Sequence, residues 1–143
     1  MRKTLECRKI ELYCDFHGHS RQKDLFMYGC SNVNQGNTLH QSDKRFKEQV
    51  YPMMFDRICA NFSYPGSSFT VHKSKESTGR VVMWKEFSLI NSFTCEASFC
   101  GPSQGIYRGF HFSIQMILDM GKDFCRTLAV YSEPDTSYYK QIL

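Results

Sequence analysis

Residues 92–99 alternate strictly between polar and apolar side chains, and this pattern constrains the fold more than any other segment. A two-residue period is typical of a β-strand with two different faces. One face carries Glu96 as its single charged residue, between the small side chains of Thr94 and Ser98. A carboxylate there either lies in solvent or is desolvated and positioned as a general base. Glu96 is therefore a candidate catalytic residue, with an exposed polar face as the alternative.

A second alternating segment, residues 8–17, predicts another strand. Its polar side ends in Asp15 and His17, and Gly18 follows. Binding sites in α/β sheets tend to lie at the carboxyl ends of strands. We interpret His17 as a candidate metal ligand or base, and a hydrogen-bonded loop histidine is the alternative. The apolar side of this strand consists of Ile10, Leu12, Cys14 and Phe16.

The remaining segments predict strands that alternate with helices, which favours an α/β domain. Short strands are predicted at residues 25–28, 69–72 and 80–84, with a loop over residues 31–41. Ser42 is a candidate N-cap for a helix that reaches Ile58, in which Pro52 should cause a kink or a break. Ser113 is a candidate N-cap for a last helix. The apolar face predicted for that helix comprises Ile114, Ile117, Leu118, Cys125 and Leu128.

Composition limits the class of protein. The 143 residues match the size of one domain, and we expect a structured part over residues 1–131 and a polar tail over residues 132–143. No apolar run approaches the ~18 residues of a membrane span, and the N-terminus has no signal-peptide core. Seven cysteines without a CxxC pair favour reduced thiols in the cytoplasm. The net charge of +4 is scattered, so we expect no nucleic-acid partner and no membrane partner.

Three other groups of residues are weaker candidates. Cys14, Cys95 or Cys100 with His17 could form a thiol nucleophile, although Cys14 and Cys95 fall on apolar strand faces, where cysteine acts as a small hydrophobe. His40 and Asp43 have a metal-like spacing but coincide with a predicted helix cap. A basic group near residue 80 is either a solvated face or an anion pocket in which Arg80 grips a carboxylate. This group comprises Lys73, Lys75, Arg80 and Lys85.

Four segments in this order resemble the cytosolic carboxypeptidases, which are zinc enzymes that remove glutamates from the tails of tubulin and other proteins. They read YCDFHGHSR at residues 13–21, LFMYGC at 25–30, KSKESTGRVVMW at 73–84 and NSFTCEASFCG at 91–101. The resemblance covers residues 8–130. It implies the C-terminal half of a zinc carboxypeptidase fold, with a mixed β-sheet flanked by helices.

The resemblance also implies roles for individual residues. His17 matches the later of two histidines that hold zinc in the family, and Glu96 matches the glutamate that activates the zinc-bound water. Arg80 resembles a position in the specificity pocket, and we expect Arg80 and Lys75 to bind an acidic substrate. The implied cofactor is one zinc ion. The implied partners are acidic C-terminal protein tails such as that of tubulin, in a cytoplasmic protein associated with the cytoskeleton or a cilium.

One element of the family pattern is missing. The family holds zinc with an early His-x-x-Glu pair, and none of the five histidines here has glutamate three positions later. One ligand cannot hold a catalytic zinc, because such sites use three protein groups. We therefore expect the chain to be part of a longer catalytic domain and to be inactive alone. The alternative is a non-catalytic module that keeps the pocket for acidic tails.

Overall fold

The computed structural model describes residue 4, residues 7–31 and residues 46–133. The strands are β1 (Tyr13–His19), β2 (Leu25–Tyr28) and β3 (Ser92–Ser98). The α-helices α1 (Lys47–Ile58), α2 (Gly79–Phe87) and α3 (Ile114–Tyr131) lie between and after them, with a 3-10 turn at Lys73–Lys75. This mixed sheet flanked by helices confirms the predicted α/β class. None of the described helices is long and apolar enough to cross a membrane.

The three strands form one sheet in the order β1-β3-β2. Strand β3 lies in the centre, parallel to β1 and antiparallel to β2. Because β1 and β3 run in the same direction, their carboxyl ends lie at the same edge of the sheet. Strand β3 is almost entirely buried, as expected for a central strand with a helix on each face.

The apolar face of β3 packs against α1 and α3. Phe93 and Cys95 belong to the main hydrophobic core. The Tyr51 ring of α1 stacks on Phe93 with 5.9 Å between centroids. Its hydroxyl donates a 2.9 Å hydrogen bond to the carbonyl of Phe124, which ties α1 to α3. The polar face of β3 is therefore free to meet α2 and to carry the functional groups.

Helix α2 covers the first part of that polar face. The Ser92 hydroxyl donates a 2.7 Å hydrogen bond to the main-chain carbonyl of Arg80. Gly79 begins the helix next to Tyr13 of β1, and a Cβ atom at Gly79 would lie 2.5 Å from the Tyr13 hydroxyl. Glycine at this position therefore lets the helix approach the sheet closely enough to bury Arg80.

The prediction of a strand at residues 80–84 is wrong, because this segment is part of α2. Its β-branched valines favour a strand locally, but burial against the sheet decides the structure. Arg80 and Met83 are buried and lie three positions apart, so they share one face of the helix, and Val81 is buried beside them. Residues 69–72 are also not a strand, although Phe69 accepts a hydrogen bond from Ser31.

The helices differ from prediction in detail. The predicted Ser42 cap lies outside the described residues, and α1 continues past Pro52 without a break. The Ser113 cap of α3 is confirmed, since its hydroxyl accepts a 3.2 Å hydrogen bond from the Met116 amide. The predicted apolar face of α3 is mostly wrong: the buried residues are Met120, Phe124 and Thr127, and of the predicted set only Leu128 packs, partly buried, against the core. Ile114, Ile117, Leu118 and Cys125 are instead exposed.

The outer edge of β1 has no strand partner among the described residues. Phe16 lies on this strand and is 61% exposed, with its ring 5.0 Å from that of Phe124. The nearby α3 begins with Ile114, which is 82% exposed. Soluble proteins normally cover or protect an open strand edge such as that of β1.

Candidate functional site

His17 and Glu96 are direct partners across the sheet. The parallel register pairs His17 of β1 with Glu96 of β3, and β2 places Phe26 on the other side of Glu96. Directly paired residues in neighbouring strands point to the same face. The structure thus brings together the two residues that the sequence singled out separately, near the carboxyl ends of two parallel strands.

Glu96 is a buried carboxylate with an unused acceptor. Only 9% of the residue is exposed, and its neighbour Phe26 is completely buried. The Oε2 atom is buried and has no hydrogen-bond partner in the described part of the chain. A buried polar atom without a partner costs about 1–3 kcal/mol, so such atoms are rare where no function needs them. Oε2 is therefore available to accept a proton or a hydrogen bond from a bound molecule.

Asp15 orients His17. These residues lie two positions apart on β1, so their side chains share a face, and Nε2 of His17 lies 2.9 Å from Oδ2 of Asp15. Histidines that bind metal commonly donate their other ring N–H to a carboxylate. The contact with Asp15 leaves Nδ1 of His17 for a metal. The Asp-x-His spacing on a strand could have indicated this pair, but the sequence interpretation gave Asp15 no such role.

Gly18 lies between His17 and His19 on β1, at a position where a side chain would collide with Phe99. A Cβ atom at Gly18 would lie 2.2 Å from a ring carbon of Phe99. The Phe99 amide donates a 2.9 Å hydrogen bond to the carbonyl of His19, which fixes the end of β3 against β1. Glycine therefore leaves room for the Phe99 side chain against β1, on the face of the sheet opposite to the His17 side chain.

Arg80 is a buried cation on the same face of the sheet. It is 5% exposed, and its Nε donates a 3.3 Å hydrogen bond to the carbonyl of Gly29. Its guanidinium carbon lies 5.5 Å from the centre of the Tyr28 ring. Tyr28 pairs with Thr94, two positions before Glu96. No carboxylate forms an ion pair with Arg80 within the described ranges, so the buried charge is suited to an anionic ligand.

The other basic residues near Arg80 are more exposed. Lys75 lies in the exposed 3-10 turn before α2, where its carbonyl accepts a 2.7 Å hydrogen bond from the Thr78 hydroxyl. Lys85 forms a 2.9 Å ion pair with Glu76, which neutralises its charge locally. The structure therefore separates Arg80, which is buried at the sheet, from lysines that lie in solvent.

A metal ion would need ligands beyond those described. Among residues 7–31 and 46–133, no group of three or more His, Cys, Asp and Glu side chains is close enough to hold one. The Asp15–His17 pair has the chemistry of one zinc ligand with its carboxylate partner. His40 and Asp43, whose spacing also suited metal ligands, lie outside the described residues.

The surroundings of Cys95 do not suit a nucleophile. All seven are free thiols, and Cys95 is 2% exposed on the core face, opposite to His17 and Glu96. The neighbouring Cys14 thiol and, next, burial raise the pKa of Cys95 well above its usual range. A thiol with a raised pKa is a poor nucleophile at neutral pH. Cys95 thus acts as a small apolar residue of the core.

Comparison with known proteins gives clear relatives. No protein-family model matches the chain. Cytosolic carboxypeptidase 3 of Mus musculus is 44% identical over 142 residues, and cytosolic carboxypeptidase 2 of Homo sapiens is 41% identical over 147 residues. These alignments cover 99% and 100% of this chain, but only 14% and 15% of the relatives. The chain thus spans about one seventh of the length of the curated relatives that it matches.

A solved structure shows the same fold. The metallo-carboxypeptidase from Burkholderia cenocepacia superposes with a TM-score of 0.65 at 12% identity. The match covers 90% of this chain and 32% of that one. The fold and the sequence similarity confirm the resemblance inferred from the four segments. Along its whole length, this chain is a homologue of a segment of the cytosolic carboxypeptidases.

Proposed function

We propose that this chain forms the C-terminal part of a zinc carboxypeptidase domain that removes glutamate from acidic protein tails. The remainder of the domain would be a preceding segment with two further metal ligands, and the two parts together are called the complete domain below. This chain matches only 32% of the bacterial carboxypeptidase, which supports a catalytic domain larger than these 143 residues. The open edge of β1 and the exposed Phe16 beside it provide a surface where further strands could pack.

The observation that carries the proposal is the pairing of His17 with Glu96. A buried carboxylate with a free Oε2, directly beside a histidine whose other nitrogen is held by Asp15, matches what hydrolysis with an activated water requires. Glu96 would accept a proton from the attacking water at Oε2 and deliver it to the leaving amine. Burial beside Phe26 keeps bulk water away from this carboxylate.

His17 would contribute one of three protein ligands to the zinc ion through Nδ1, and Asp15 would hold the imidazole in position. When bound, zinc would lower the pKa of its water toward ~7. The family's His-x-x-Glu pair would have to come from the preceding segment, because no such spacing occurs in these 143 residues.

Arg80 would bind the side-chain carboxylate of the terminal glutamate. A planar guanidinium can hold a carboxylate through two hydrogen bonds, and its burial makes the charge more effective than an exposed one. Lys75 lies in solvent, where it would attract acidic tails at longer range. Acidic protein tails, including that of tubulin, are the proposed substrates, in a cytoplasmic protein near the cytoskeleton or a cilium.

Replacing Arg80 by glutamine in the complete domain should raise KM for peptides that end in glutamate by about 10- to 150-fold, the range of a charge-assisted hydrogen bond. The kcat should change little, because Arg80 binds a group remote from the reacting bond. The control is Lys75→Ala. Its exposed charge should change KM less than about fivefold, and the effect should disappear at high salt. Steady-state kinetics on glutamate-ending and leucine-ending peptides measure both variants.

The same experiment tests the proposed function as a whole. Release of free glutamate from a polyglutamyl peptide by the complete domain supports it, and equal effects of Arg80→Gln on acidic and neutral peptides would contradict the specificity role. A binding module is the second candidate, because Arg80, buried and without an ion pair among the described residues, would also suit tail binding without hydrolysis. It would be identified by tight binding of the acidic peptide without release of glutamate.

A further inference from the structure

The ring of His19 is held in a defined orientation by the main chain. Its Nδ1 accepts a 3.2 Å hydrogen bond from the Arg21 amide and a 3.0 Å hydrogen bond from the Gln22 amide. Because Nδ1 accepts, the neutral ring carries its hydrogen on Nε2. The turn after β1 therefore leaves His19 with one fixed N–H donor.

His19 lies next to the proposed catalytic pair. His19 pairs with Ser98, two residues after the His17–Glu96 pair on each strand. Its side chain therefore lies on the same face of the sheet as those of His17 and Glu96. The ring contacts Phe26 edge to face at 5.1 Å, and Phe26 is itself the β2 neighbour of Glu96. This contact fixes the ring plane beside the buried carboxylate.

The donor of His19 is unused. His19 is half-buried, and Nε2 has no hydrogen-bond partner among the described residues. Alternate residues of a strand lie about 6.6 Å apart, close to the length of two residues of an extended peptide. If the bond to be cleaved in a substrate peptide lies beside the Glu96 side chain, the oxygens of the next substrate residues would lie near His19.

We propose that His19 binds the substrate through Nε2–H, donating a hydrogen bond to an oxygen of the peptide next to the cleaved bond. This assignment rests on the proposed carboxypeptidase function and adds a specificity residue to it. The acceptor is a carboxylate or main-chain carbonyl oxygen of an acidic peptide. The role that competes with it is purely structural, in which His19 only caps the turn at residues 21–22.

Two substitutions separate these roles. In His19→Asn, the side-chain oxygen takes the place of Nδ1 and can accept hydrogen bonds from the Arg21 and Gln22 amides, as in an Asx turn. The shorter asparagine has no donor at the position of Nε2. His19→Gln places an N–H donor near Nε2 and loses the acceptor of the turn. In the complete domain, we expect His19→Asn to raise KM about threefold to tenfold with kcat nearly unchanged. We expect His19→Gln to stay within about twofold of the wild-type KM.

Binding and thermal unfolding provide readouts besides turnover. In a Glu96→Gln background, the affinity for a fluorescent polyglutamyl peptide should fall with His19→Asn and be kept with His19→Gln, while the Tm should fall mainly with His19→Gln. An unchanged affinity and KM for His19→Asn, or equal losses for both variants, would overturn the donor role. If the wild-type domain binds the peptide but releases no glutamate, the proposed function fails, and the affinity comparison still decides the role of His19.

Discussion

Replacing Glu96 by glutamine in the complete domain should lower kcat by roughly two to four orders of magnitude, the usual contribution of a general acid–base group. Glutamine has nearly the same shape but cannot accept a proton at the position of Oε2. Zinc should remain bound, because Glu96 is placed as a base rather than as a ligand. The buried Oε2 without a partner is the structural reason to expect the loss in kcat rather than in folding.

The matched control for this substitution is Glu76→Gln. Glu76 is an exposed carboxylate whose contact is an ion pair with Lys85, so turnover should be close to wild type. Zinc content, Tm and KM measured on both variants separate a chemical effect from a structural one. Retained turnover in the Glu96→Gln variant would remove Glu96 from the mechanism.

Replacing His17 by alanine should eliminate both stoichiometric zinc and turnover in the complete domain. The two remaining ligands cannot hold a catalytic zinc that needs three. Asp15→Asn should have a graded effect, lowering zinc affinity by about 10- to 100-fold, because it disturbs the carboxylate that orients the imidazole. His17 is exposed, so neither change should unfold the domain.

His72→Ala is the control for loss of a histidine, since His72 is exposed and outside the site. Metal analysis after dialysis and competition with a chromogenic chelator measure the zinc content and affinity of each variant. Full zinc content in His17→Ala would exclude His17 as a ligand. Wild-type affinity in Asp15→Asn would show that the contact between Asp15 and His17 does not support the metal.

The strand that carries Glu96 could be predicted from sequence, but its partner could not. The alternation in residues 92–99 is strong because one face of β3 enters the core and the other meets α2. Its pairing with His17 depends on the register of two strands far apart in the chain, and spacing alone does not determine it. The family resemblance indicated both residues, and the structure shows them as neighbours.

Other features depended on tertiary contacts. Residues 80–84 have the composition of a strand, yet they form a helix because Gly79 allows close approach to Tyr13 and because Arg80 and Val81 are buried against the sheet. The apolar stripe of α3 was misplaced because Ile114 and Leu118 are exposed while Phe124 and Thr127 are buried. The hydrogen bonds that fix His19 require a turn geometry that no sequence pattern specifies.

The most direct test of the central claim is the zinc content of the isolated 143-residue chain compared with that of the complete domain. Both would be dialysed against metal-free buffer and measured by plasma mass spectrometry, together with release of glutamate from a polyglutamyl peptide. We predict about one zinc per molecule and turnover for the complete domain, and neither for the isolated chain. Tightly bound stoichiometric zinc and glutamate release by the isolated chain would contradict the claim that it supplies a single metal ligand.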